Sequence, residues 1–424
     1  MGASHLPGSI PHLQVWGCHG SAGEAINELE EEVFGRTRVM LAHGLRRSAL
    51  RMTAFGFVAL LGLAGGGMRA AAQEKPDPKS EIGRLHSKFV DVNGVQARYY
   101  EAGAGEPMVM IHGGFAAGSS TANVFSRNIE GLARRFHVFA VDRLASGMSG
   151  NPLKDDDYTY QGDVDFIYGF IQALNLGPVH LVGHSAGGAI ALYLAIEHPE
   201  AAKTLTILAM GPENPYPDAN DKPRLDLSKR PDQSQYEGLQ CRVAMLAWLP
   251  NTFDEEYWNA DKFMATLPKS KEARAKLNAG AGRSFDFPTF KQKMLDKVRD
   301  EGALQMPVLL VAGKNDVLDW GVKDETAKLG GQMALFDVIA AKNTKVQMII
   351  MTNGGHFMYR EHPNEFNAYL ETFIDTWEKY PTAPAQGNFP KPPTTSGAPP
   401  RRENQPQTQP GVIPGRPQIG QQGA

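Results

Sequence analysis

The chain has 424 residues, 42% of them hydrophobic and 21% charged, with a formal net charge of −3. That is enough apolar content for a sizeable folded core, and it offers no electrostatic case for binding nucleic acid. Its two cysteines, Cys18 and Cys241, are too few and too distant for a disulfide framework or a zinc site.

Residues 1–39 precede a signal-like segment and read as a non-native or unstructured extension, with Met40 as the candidate start. Residues 40–72 read as a signal peptide. Arg46, Arg47 and Arg51 are its basic region, and residues 54–64 are an apolar stretch too short to span a membrane comfortably. Ala70-Ala71-Ala72 then supplies small residues for cleavage before Gln73. The expectation is an exported protein, periplasmic or secreted, with no stable membrane span in its mature form. An uncleaved segment would instead anchor it. Arg46-Arg47-Ser48-Ala49-Leu50-Arg51 resembles a twin-arginine signal, and general secretion is the other route.

Residues 88–92 and 95–101 flank Asn93-Gly94 and predict a hairpin. Met108-Val109-Met110-Ile111 predicts a buried strand ending at His112-Gly113-Gly114, followed by a helix with Phe125, Ile129 and Leu132 on its apolar face. Further strands are predicted at 138–142, 178–182, 204–208, 307–311 and 345–350, with helices at 160–174 and about 364–380. Strands alternating with helices imply an α/β fold, a mostly parallel sheet covered on both faces. The core spans 85–211 and 299–380. Residues 212–298, with Trp248, Tyr257, Trp258 and Phe263, read as an inserted helical cap over the site. Residues 381–424, rich in Pro, Gln and Gly, have too few large apolar groups to offset the entropy of ordering and read as a disordered tail.

The chemistry centres on Gly183-His184-Ser185-Ala186-Gly187-Gly188, between an apolar strand and an Ala-rich helical pattern. Strand, G-x-S-x-G, helix is the layout of a nucleophile elbow. With 45 glycines in the chain, the motif alone is weak. An attacking serine also needs a base, and the base needs a carboxylate, which in such folds follow in the order Ser, Asp or Glu, His. Asp316, in Gly313-Lys314-Asn315-Asp316, and His356, in Asn353-Gly354-Gly355-His356, both lie just past strand ends. Asp319 and Glu213 are rival carboxylates, and His362 is a rival base. Backbone N–H groups of Gly114 and Ala186 would form the oxyanion hole. No metal and no cofactor are expected, and the partner is a small-molecule substrate.

These residues together resemble the α/β-hydrolase family over about 85–380. The matching stretches are His112-Gly113-Gly114, Asp142-Arg143 with Ser146-Gly147-Met148-Ser149, the elbow at Ser185, Asp316 and His356. Within that family, Phe125-Ser126-Arg127-Asn128-Ile129 and Glu365-Phe366-Asn367 are similar to the hydrolases that cleave carbon–carbon bonds in aromatic meta-cleavage products. The resemblance implies substrate contacts at Phe115, His184, Lys262 and Phe357, with Lys262 where that branch has a cap arginine. The leading expectation is a serine hydrolase acting on a small hydrophobic ester-like carbonyl. Carbon–carbon hydrolysis of a dienoate is the alternative, and a non-catalytic binding protein on the same fold is the remaining one.

Overall fold

The computed structural model describes residues 76–114, 120–210, 215, 236–318 and 329–379. The readings for 1–39, 40–72 and 381–424 lie outside the described residues. Strands β1 (Ser87–Val92) and β2 (Val95–Ala102) form the predicted hairpin. Its turn needs two left-handed residues, and Asn93 and Gly94 take φ of 52° and 89°.

Six more strands follow: β3 (Glu106–Ile111), β4 (Phe136–Val141), β5 (Val179–Ser185), β6 (Ala202–Met210), β7 (Val308–Gly313) and β8 (Val346–Met351). Their order among the described residues is β1-β2-β4-β3-β5-β6-β7-β8. The two hairpin strands join antiparallel, and every pairing from β4 through β8 is parallel. Successive side chains on a strand point to opposite faces, so a sheet covered twice must be apolar at both parities. That pattern holds. Val109, Ile111, Val308 and Leu310 join one core cluster, while Met108, Met110, Leu309 and Val311 join the other.

The first cluster is closed by helices Tyr160–Ala173, Ala186–Glu197 and Gly330–Ala340, and the second by Ser126–Leu132 and Pro363–Lys379. In the stretch read as a cap, helices Tyr236–Leu246, Glu255–Ala265 and Pro268–Ala279 follow one another. Local chemistry sets their ends. The Asp254 carboxylate accepts from Tyr257 N–H, Pro268 opens the third helix, and Gly280 closes it at φ 109°. Phe253, Tyr257 and Trp258 pack into the second cluster beside Phe357 and Tyr359. The last helix of that stretch, Phe287–Asp296, behaves differently. Its Met294 and Leu295 bury in the first cluster, and Phe287 stacks on Tyr160 at 4.6 Å. It therefore packs against the sheet's own helices. No helix among the described residues is long and apolar enough to cross a membrane.

A buried ion pair organises the loops at the carboxyl end of β4. Arg98 and Asp142 are both fully buried and meet at 3.2 Å. Asp142 also accepts from Ala122 N–H at 2.7 Å and Met148 N–H at 2.9 Å. Arg98 reaches Ser87 Oγ, Asn123 Oδ1 and the Ser80 carbonyl. Removing one partner leaves a buried charge uncompensated. Arg98→Ala is expected to lower unfolding free energy in urea by about 3–5 kcal/mol. Adding Asp142→Asn, which removes the stranded charge, recovers part of that loss.

Candidate active site

Ser185 is the last residue of β5 and the cap of helix Ala186–Glu197, with φ 52° and ψ −120°. A non-glycine residue adopts this strained backbone only where its surroundings over-determine it. The surroundings are glycines in close approach. A Cβ on Gly183 would run into the Gly187 carbonyl, and one on Gly187 into the carbonyls of Ile111 and His112. Strand β3, strand β5 and the following helix thus converge on the turn. Ala186 opens that helix, so its N–H is among those without an intrahelical partner.

The loop after β3 approaches from the other side. A Cβ on Gly113 would sit 2.8 Å from Ser185 Cβ, and Gly114 has φ 80°. This loop is anchored through its carbonyls. His112 Nε2 accepts from Arg143 N–H at 3.0 Å, which assigns the proton to Nδ1, and Nδ1–H donates to the Gly113 carbonyl at 2.8 Å. Arg143 Nη1 donates to the Gly114 carbonyl at 2.8 Å, and Nη2 to Asp163 Oδ2 at 2.6 Å. Burial, aided by Arg143, pushes the His112 pKa down to about 3, so the ring is neutral. Burial pushes the Asp163 pKa up, against the pull of Arg143. The roles of Arg143 and Asp163 escaped the sequence reading. The available signal was a charged pair, Asp142-Arg143, placed directly after a buried strand.

Asp316 and His356 come together as expected. Both are 2% exposed, and His356 Nδ1–H donates to Asp316 Oδ2 at 2.8 Å. The other Asp316 oxygen accepts from Leu318 N–H at 2.9 Å. The loops bearing them touch, because Gly313 has no side chain to strike the Gly355 carbonyl. The His356 backbone is held twice more. Its N–H donates to the Leu246 carbonyl at 3.1 Å, and its carbonyl accepts from His184 Nε2–H at 2.9 Å. Among the described residues, no hydrogen bond runs from Ser185 Oγ to His356. Such bonds are often long before substrate binds.

His184 is buried, with its ring 4.7 Å from that of His356 and 4.9 Å from that of Tyr359. Burial first, then the neighbouring His356, holds its pKa well below 6.5. It supports the His356 loop, where the sequence reading had it touching substrate. Phe357 likewise is 4% exposed and packs edge-on against His356 and Phe253. Lys262 points away, pairing at 3.4 Å with Glu237 on the cap surface. Phe115, Asp319 and Glu213 lie outside the described residues. The rival His362 donates to the Asn353 carbonyl at 2.8 Å and has no carboxylate partner among the described residues. Glu106, His180 and Glu378 form the one metal-compatible group among the described residues. It stands at the amino ends of β3 and β5, and Lys203 supplies its cation.

The arrangement provides a serine on a strained turn, an imidazole oriented by a buried carboxylate, and two glycines with a helix N-terminus around them. A family model described as "alpha/beta hydrolase fold" matches residues 106–363. The chain is 34% identical over 288 residues to (E)-2-((N-methylformamido)methylene)succinate hydrolase of Acinetobacter baylyi, covering 67% of this chain and 96% of that one. It is 27% identical over 306 residues to 2-hydroxymuconate semialdehyde hydrolase of Pseudomonas sp. strain CF600, covering 70% and 96%. Among solved structures, a serine hydrolase involved in carbazole degradation (CarC) superposes with a TM-score of 0.52 at 25% identity, over 69% of this chain and 99% of that one. The chain belongs to the α/β-hydrolase family and is a hydrolase resembling its meta-cleavage-product branch.

Proposed function

We propose that the protein hydrolyses a carbon–carbon bond in a meta-cleavage-type dienoate, with Ser185 as nucleophile, His356 as base and Asp316 as its orienting carboxylate. The Asp316–His356 hydrogen bond beside the strained Ser185 turn carries the assignment of roles. The relatives named for 2-hydroxymuconate semialdehyde and for carbazole degradation support the substrate class.

In this reading His356 Nε2 takes the Ser185 proton as Oγ attacks the ketone carbon. The N–H groups of Gly114 and Ala186 receive the oxyanion. Asp316 accepts from Nδ1–H and stabilises the imidazolium without taking the proton. The dienol first tautomerises, its 2-hydroxyl proton being replaced by one on the carbon beside the ketone; when the bond then breaks, its electron pair passes into the conjugated keto-ene, and the released carbon takes its proton from His356. His356 then activates water, which cleaves the acyl–Ser185 ester. Anchoring the Gly113 and Gly114 carbonyls on Arg143 keeps the anion-binding loop in place before charge develops.

The ester reading keeps one support. The cap residue aligned with a substrate-binding arginine, Lys262, is turned outward and paired with Glu237, so it offers no cation to a dienoate carboxylate. A panel of dienoates, aryl esters and lactones separates the two. The expected result is dienoate decay faster than ester cleavage, with both lost in Ser185→Ala at unchanged unfolding temperature. Faster ester cleavage overturns the carbon–carbon reading, and undiminished turnover in Ser185→Ala overturns the triad.

The site also dictates a pH dependence. His112 and His184 are buried neutral, and both have pKa values below 6.5 in the folded state. Below pH 6.5 the unfolded chain therefore binds protons that the folded chain refuses, and stability falls as pH falls. For His112 the loss runs down to about pH 3. Each such histidine contributes at most about 1 kcal/mol per pH unit across this window, the slope set by one proton bound only by the unfolded chain. Urea unfolding between pH 6.5 and 5 is expected to show this loss. His184→Asn should make it shallower, and an unchanged slope counts against a neutral buried His184.

A further inference from the structure

Arg360 and Glu361 are adjacent, buried and oppositely charged, and neither is part of the triad. They lie in the short helix Met358–Glu361, immediately after the loop bearing His356. Both reach the segment joining the first two cap helices. Glu361 Oε1 accepts from Trp248 N–H at 2.6 Å, Leu249 N–H at 3.4 Å and Thr252 Oγ–H at 3.2 Å. Its other oxygen accepts from Gly355 N–H at 2.7 Å, one residue before His356. Arg360 Nε donates to the Thr252 carbonyl at 2.8 Å. The contact is close-packed, because a Cβ on Gly355 would lie 2.8 Å from Trp248 N.

A carboxylate that satisfies donors on two separate segments fixes their spacing. Here one segment is the base loop and the other is the root of the cap. We propose that Glu361 is a positioning residue that clamps the cap root, Trp248 to Thr252, to the His356 loop, so that the base is correctly placed only when the cap root is seated. Burial raises the Glu361 pKa, and the four N–H and O–H donors work against that rise. A neutral amide cannot replace this carboxylate. Glutamine offers one acceptor oxygen, and its NH2 would face the N–H groups on the other side.

The inference rests on His356 being the base, as proposed above. Two readouts keep it separate from that reading. The first is amide hydrogen exchange in the substrate-free protein, and the second is steady-state kinetics on the best substrate of the panel. Glu361→Gln is expected to speed exchange at 246–252 and at 355–356. It should also lower kcat by about 10–100-fold, the scale of an ångström-sized misplacement, while KM moves much less. Thr252→Val removes a hydroxyl that Glu361 Oε1, at 3.2 Å, shares with the Leu249 carbonyl, at 2.6 Å, and should give a smaller effect of the same sign. In the double variant the two effects should be less than additive, because both act through one carboxylate. If Glu361→Gln does not fold, Thr252→Val carries the test alone. Faster exchange with unchanged kcat overturns the proposal, as does reduced kcat with unchanged exchange or a loss confined to KM. Failure of Ser185→Ala to abolish turnover would sink the triad and leave the exchange result standing.

Discussion

The close approach of Gly183, Gly187 and the end of β3 is the constraint on which the site depends. Three backbones meet where no Cβ fits, and Ser185 takes a left-handed conformation because the chain has no other way to pass from β5 into its helix. The strain is sustained by the packing beneath it. Helix Ala186–Glu197 is buried along nearly its whole length, so relaxing the turn would mean moving a fully packed helix. Ser185 is therefore placed by the core itself, and the same crowding brings the Gly113 loop to its flank.

Around that fixed point, neutral and charged groups are sorted by burial. His112 and His184 are kept neutral and act through single tautomers, one holding the Gly113 loop and the other holding the His356 loop. Arg143, Arg98 and Arg360 are buried cations, and each donates to a carbonyl or carboxylate of another element. Each loop around the site is thus tied by a side chain that belongs to a different element. The site's rigidity is tertiary, and the loops alone do not supply it.

This division explains what was legible in the sequence. The hairpin, the parallel strands and the elbow are local patterns, and each produces a signal within a few residues. The pairing of Asp316 with His356 followed from chain order and strand-end position. Adjacency misled where direction mattered. His184 and Ser185 are neighbours on β5, so their side chains leave opposite faces, and His184 goes under the His356 loop. Lys262 sat at the right place in the cap, but spacing alone could not say which way the helix turned it. The charged pair Asp142-Arg143 does not say which residue its arginine meets, and Glu361 takes its role partly from Trp248, far away in the chain.

His356 arrives from the sheet's edge. It hangs from β8, which among the described residues pairs only with β7 and leaves Ile350 exposed, whereas Ser185 stands at the centre on β5. Strands lie about 4.8 Å apart, so the His356 loop must lean back across the ends of two intervening strands. An edge strand is held by one neighbour where an inner strand is held by two. Loss of the β7–β8 pairing alone would therefore carry the imidazole away from the serine.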